Sequence, residues 1–149
     1  MRFIRTNAGN KDFQMLVRDL DLDLSNRDGS DHKFYDQFNK IDNIQFAVVA
    51  YDETSPIGCG AIKAFSEDAM EVKRMFVSPP HRGKGIAQSV LLELEKWARE
   101  MNFSKCILET GKRQPEAIAL YMKAGYKTIP NYGQYENVEN SICFEKVLN

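Results

Sequence analysis

Met75-Phe76-Val77-Ser78-Pro79-Pro80-His81-Arg82-Gly83-Lys84-Gly85-Ile86-Ala87 is the stretch on which the fold turns. Apolar residues end a strand, two prolines stop it, and Gly83 and Gly85 free the backbone to turn sharply. Beyond the turn, Ile86, Val90, Leu91, Leu94, Trp97, Ala98 and Met101 recur at steps of three and four, the apolar face of a long helix. A helix N-terminus exposes unpaired N–H groups and carries roughly half a positive charge. Arg82 and Lys84 add to it, so the turn reads as a phosphate cradle. It is not a P-loop, since Gly85 rather than Ser or Thr follows Lys84. Nor is it a dinucleotide fingerprint, since position 88 holds Gln88 instead of a third glycine.

Upstream, Arg2–Thr6 reads as a short strand, and Phe13, Leu16, Val17, Leu20 and Leu24 as an amphipathic helix. Ser25–Asp31 reads as a loop, and Phe34, Tyr35 and Phe38 as a short helix. Gln45–Asp52, Ile57–Phe65 and Met70–Val77 form a three-strand meander, with Glu53–Pro56 and Ser66–Asp68 as its turns. Downstream, Lys105–Glu109 is a strand and Glu116–Ala124 a helix closed by Gly125. Tyr126–Ile129 and Ile142–Val147 extend again. The expected fold is α/β (α+β), one domain over residues 1–149, with a mixed, mostly antiparallel central sheet and helices on both faces.

Composition excludes several classes. The 149 residues suit one domain with a real core. With 20 basic and 21 acidic residues the net charge is −1, which argues against a general nucleic-acid binder. No apolar run is long enough to span a membrane, and no secretory signal is visible at the start, so a cytoplasmic protein is expected. Cys59, Cys106 and Cys143 are odd in number, far apart and set in apolar runs. They read as buried hydrophobes, with neither a disulfide framework nor a metal site expected.

Arg82-x-x-Gly85-x-Ala87 after a strand ending Met75-Phe76-Val77 resembles the Q/R-x-x-G-x-G/A signature of the GNAT superfamily of acetyl-CoA-dependent N-acetyltransferases. Ala117-Ile118-Ala119-Leu120-Tyr121-Met122-Lys123-Ala124-Gly125-Tyr126 resembles the family's A-x-x-L-Y-x-K-x-G-F segment. The element order matches over nearly the whole chain. One departure is Gln114, where the family often has Asn. The resemblance implies acetyl-CoA as cosubstrate and no metal. Backbone amides of Arg82, Gly83, Lys84, Gly85, Ile86 and Ala87 would hold the pyrophosphate, and Gln114 would contact the cofactor. Main-chain groups of Met75, Phe76 and Val77 would pair with the pantetheine arm like an added strand.

Acetyl transfer to an amine needs a base, a donor for the developing oxyanion and a proton for the leaving thiolate. By its place on the strand entering the turn, Glu71 is the base that the resemblance implies, with an exposed carboxylate paired to Lys73 as the alternative. Tyr121 matches the motif tyrosine and would protonate the thiolate, with a core-facing aromatic as the alternative. Arg74, Glu109 and Thr110 are further candidates, toward the ends of the strands beside the cofactor turn; the charged pair could contact substrate or form ion pairs. Tyr132 and Tyr135, in a loop before the last strand, could wall a substrate pocket or clamp the loop to the core. Asp19, Asp21, Asp23, Asp28 and Asp31 could draw in a cationic amine or form a solvated face. His32 and His81 are expected at the surface. The expected function is acetyl transfer from acetyl-CoA to a primary amine, a small molecule, by direct attack. Alternatives are a non-catalytic acetyl-CoA-binding module and a protein N-terminal or lysine acetyltransferase. Family members are often dimers, so a homodimer stays open.

Overall fold

The computed structural model describes residues 1–28 and 44–149. Two apolar faces alternate along the central strands, and both are covered. Arg2–Thr6 (β1), Phe46–Asp52 (β2), Ser55–Ala64 (β3) and Ala69–Val77 (β4) run antiparallel in turn. Lys105–Gly111 (β5) joins β4 in parallel, and Ser141–Val147 (β7) and Lys127–Ile129 (β6) complete a seven-stranded sheet in the order β1-β2-β3-β4-β5-β7-β6. The helices among the described residues are Lys11–Asp28 (α1), Ile86–Glu100 (α2) and Pro115–Lys123 (α3).

On one face Ile86, Val90, Leu91, Leu94 and Ala98 of α2 pack with Val48, Ile62, Met70, Val72 and Leu108 of the sheet, and Tyr121 of α3 joins them. On the other face Phe13, Leu16, Val17 and Leu20 of α1 pack with Ala47, Val49, Cys59, Ala61 and Phe76. This double burial explains why β2 and β3 carry runs of fully buried residues rather than a one-sided alternation. The expected single mixed sheet with helices on both faces is what forms. A third small cluster, Tyr135 with Cys143, seats the loop after β6 on the α1 side of the sheet.

Three local expectations need correction. Ser25–Asp28 is not a loop but the last turn of α1, because Leu24, four residues on from Leu20, keeps the helix against the sheet. The rest of that polar stretch, and the short helix expected at Phe34–Phe38, lie outside the described residues. Ser55 and Pro56 do not turn; they pair with Asp52 and Tyr51, leaving a tight Glu53-Thr54 reversal with Glu53 at φ 57°. A proline at a strand's start removes little from the ladder. His81 is half-buried, not a surface residue, and its Nδ1 is enclosed with no hydrogen-bond partner among the described residues. The three cysteines are free and buried, as read from the sequence.

Candidate active site

The site begins with an uneven strand pair. Cys59 stands opposite Phe76 and Ala61 opposite Lys73, so Gly60 faces two residues, Arg74 and Met75. This β-bulge bends β4 and adds twist. Arg74 sits at φ 59°, a left-handed backbone that bulky residues rarely adopt. Gly60, across the bulge, makes room for the next residue, Met75: a Cβ there would collide with Met75 Sδ and come within 2.8 Å of Leu94 Cδ1.

The parallel pairing of β4 with β5 covers only Ala69↔Lys105, Met70↔Cys106 and Glu71↔Ile107. Yet β4 continues to Val77 and β5 to Gly111. Beyond Glu71 the two strands therefore part, and the β4 edge past the bulge has no strand beside it. Such an edge offers backbone groups to an extended ligand.

Two cavities occupy this wedge. The larger, about 480 Å³, runs along Met75–Val77, past His81, Arg82, Gly83 and Gly85–Gln88, to Leu120 on α3. Gly83 (φ 78°) and Gly85 (φ 80°) turn the chain into α2, and a Cβ on either would meet nothing within 4 Å. No side chain caps α2, whose first internal bond runs from Ser89 N–H to Gly85 O. Of the amides expected to hold a pyrophosphate, Arg82 N–H is already bonded to Pro79 O at 3.3 Å, while those from Gly83 to Ala87 are left to a ligand or to water. Arg82 donates from Nε to Val77 O at 2.8 Å, and its guanidinium lies over Phe76, so its side chain ties the turn to the end of β4. Lys84 is exposed and outside the cavity wall.

The smaller cavity, about 100 Å³, is polar. Glu71, Lys73, Arg74, Glu109, Thr110 and Tyr135 line it, with Leu20 and Leu24 of α1 as its apolar side. Glu71 is buried; it accepts a hydrogen bond from the Tyr132 hydroxyl at 2.6 Å and lies 3.7 Å from the Lys73 ammonium. Burial lowers the Lys73 pKa, and the charge of Glu71 partly opposes that. Burial, then the charge of Glu71, raises the Tyr132 phenol. Glu109 accepts from Ser141 Oγ at 2.6 Å. Arg74 Nη2 donates to Asp21 Oδ1 at 2.6 Å. Asp21 keeps a side chain that is 38% exposed, but it is the ion-pair partner of Arg74 and so not a free attractor for an amine.

The cavities meet. Leu20, Met75, Gln114, Ala117 and Tyr121 line both. Tyr121 is buried, its ring against Tyr126 and Phe144, and burial followed by the charge of Glu109 keeps its phenol protonated. Gln114 sits at the start of α3. The structure thus brings Glu71, Arg74, Met75, Glu109, Gln114, Tyr121 and Tyr135 around one junction. Tyr132 reaches it through Glu71, with its ring edge-on to Phe65 and Tyr135. Lys73 and the α1 leucines were not expected in the wall; only the period-two alternation that puts Lys73 on the face of Glu71 hinted at one of them. All three thiols lie away from ionisation: burial pushes Cys59 and Cys106 up to about 12 and Cys143 up to about 11.

Comparison with known proteins follows this geometry. The model of the acetyltransferase (GNAT) family matches residues 13–126. A protein named IAA acetyltransferase from Azospirillum brasilense is 40% identical over 102 residues, which are 68% of this chain and 67% of that protein. A Klebsiella pneumoniae structure described as an acyl-CoA N-acyltransferase superposes with a TM-score of 0.83 at 29% identity, covering 99% of this chain and 97% of the other. An Elizabethkingia anophelis structure of a GNAT family acetyltransferase with acetyl-CoA bound shares the fold, with a TM-score of 0.73 at 18% identity over 99% of this chain and 97% of the other.

Proposed function

The chain belongs to the GNAT acetyltransferase family, and we propose that it moves acetyl from acetyl-CoA to the primary amine of a small molecule, by direct attack in a ternary complex. One observation carries this reading: a long cavity fit for a pyrophosphate and an extended arm opens, at Met75 and Tyr121, into a small polar cavity that holds Glu71.

The residues present suit coenzyme A. The uncapped start of α2 and the two left-handed glycines offer N–H groups to a pyrophosphate. The free edge of β4 at Met75–Val77 offers main-chain partners to the amides of a pantetheine arm. Acetyl-CoA, when bound there, supplies the activated acetyl group as a thioester. Glu71 takes the proton of the acceptor amine, directly or through water, while Tyr132 holds its carboxylate. A backbone N–H near Met75, beside the bulge, donates to the oxyanion. Tyr121, protonated at neutral pH, gives its proton to the departing sulfur. The raised thiols of Cys59, Cys106 and Cys143 favour direct attack over an acyl-enzyme, since a thiol held neutral is a poor nucleophile.

The small volume beside Glu71, with Tyr135 buried against it, favours a small acceptor over a protein tail. Coenzyme A release, followed with a thiol reagent across a panel of small amines and amine-bearing peptides, tests the reading. Turnover with small amines is expected. Tight acetyl-CoA binding with no turnover on any amine would instead make the chain a non-catalytic binding module, and turnover on peptides alone a protein acetyltransferase.

A further inference from the structure

Arg74 is the least explained residue of the small cavity. Its side chain is only 2% exposed, and it holds a left-handed backbone at the bulge. A guanidinium has five N–H donors. Asp21 takes one of them, at Nη2. Nε is enclosed and has no hydrogen-bond partner among the described residues. A buried donor without an acceptor is rare, and strain at such a residue persists where the surroundings hold it for a purpose.

The charges around it narrow what the acceptor for Arg74 would be. The ionisable carboxylates and cations of the wall are Glu71 and Glu109 against Lys73 and Arg74. A diamine or polyamine would bring a second cation against Lys73 and Arg74. A simple monoamine would leave Arg74 under-satisfied. An amine that also carries a carboxylate answers both: its amine lies toward Glu71, and its carboxylate pairs with the under-satisfied side chain of Arg74, which lines the cavity. Arginine is the side chain best suited to a carboxylate in an enclosed site.

We propose that the acceptor is a small amino-acid-like zwitterion whose carboxylate is bound by Arg74. This rests on the acetyltransferase reading and names the acceptor class for it. Arg74 selects the acceptor, while Glu71 and Tyr121 carry the proton transfers. Charge-assisted hydrogen bonds of this kind separate carboxylate-bearing from carboxylate-free acceptors by about ten- to hundredfold.

The test compares three matched sets on the wild-type protein: amino acids, their carboxamides, and the amines that lack the carboxyl group. Both kcat/KM and calorimetric binding in the presence of coenzyme A are measured. The amino acids are expected to win by at least about tenfold in both readouts. In Arg74→Asn, a residue that tolerates the left-handed backbone, that ratio is expected to fall to near one. Equal use of the three sets by the wild-type protein overturns the proposal, as does a preference that survives in Arg74→Asn. So does binding of none of them. If turnover is absent with every amine, the acetyltransferase reading fails, and the calorimetric comparison still decides whether Arg74 selects a carboxylate.

Discussion

Glu71 shows how one residue acquires a role from its neighbours. An acid on a strand beside a lysine reads as a surface ion pair, and the pair with Lys73 does form, at 3.7 Å. What differs is its setting: the carboxylate is buried, lines the small cavity and accepts from Tyr132. Glu71→Gln keeps the shape and an oxygen for the Tyr132 hydroxyl. It is expected to lower kcat about 10²–10⁴-fold, with a cooperative thermal transition retained. Steady-state kinetics beside a thermal melt separate this from a folding defect; a kcat within threefold of wild type would remove Glu71 as base. Tyr121→Phe keeps the ring packing against Tyr126 and Phe144 and deletes only the proton. Its kcat is expected to drop by about a hundredfold or more, with little change in acetyl-CoA binding. If kcat is unchanged, Tyr121 is a packing residue alone.

At the scale of elements, the site is made by a bulge and a turn. The bulge opposite Gly60 bends β4 just after it parts from β5, and it sets Arg74 and Met75 at the junction. Gly60→Ala would push on Met75 Sδ, Leu94 and Val90. A loss of about 1–3 kcal/mol is expected in urea unfolding, together with a fall in kcat, because Met75 borders both cavities. A stability loss with full kcat would separate the bulge from the chemistry. The turn into α2 makes a different demand. Gly85 has φ 80° and open space where a side chain would start. In Gly85→Ala the new methyl enters the space left for the ligand, on a backbone strained by about 1–2 kcal/mol. The KM for acetyl-CoA is expected to rise by about tenfold, with a smaller change in kcat, since Gly85 does not border the small cavity. Titration of coenzyme A binding checks it directly.

At the scale of the whole molecule, burial of neutral thiols and phenols sets the response to alkali. Burial pushes Cys59 and Cys106 up to about 12 and Cys143 up to about 11, and it also raises Tyr51, Tyr121, Tyr126, Tyr132 and Tyr135. The unfolded chain gives up its thiol protons above about pH 9 while the folded one keeps them, so stability is complete below that pH and declines above it. Cys59 and Cys106 each contribute about 1.4 kcal/mol per pH unit between about pH 9 and 12, and the tyrosines add from about pH 10. Lys73, lowered by burial, acts the other way below 10.5, but it is one proton against several. Urea unfolding under reducing conditions is expected to show a steep fall from pH 8 to 10, shallower in Cys59→Ala; a flat profile would contradict the burial of these groups. The sequence by itself determined the strand–turn–helix cradle, the order of elements and the two-faced sheet, because consecutive residues and short periods dictate them. Only the tertiary structure decided which charges meet. Arg74 finds Asp21 across 53 positions, Glu71 finds Tyr132 across 61 and Glu109 finds Ser141 across 32. Those meetings follow from the bulge in β4 and from the pairing of β5 with β7, which sets Ser141 beside the end of β5; both arise when distant strands pack together, and no local pattern encodes them.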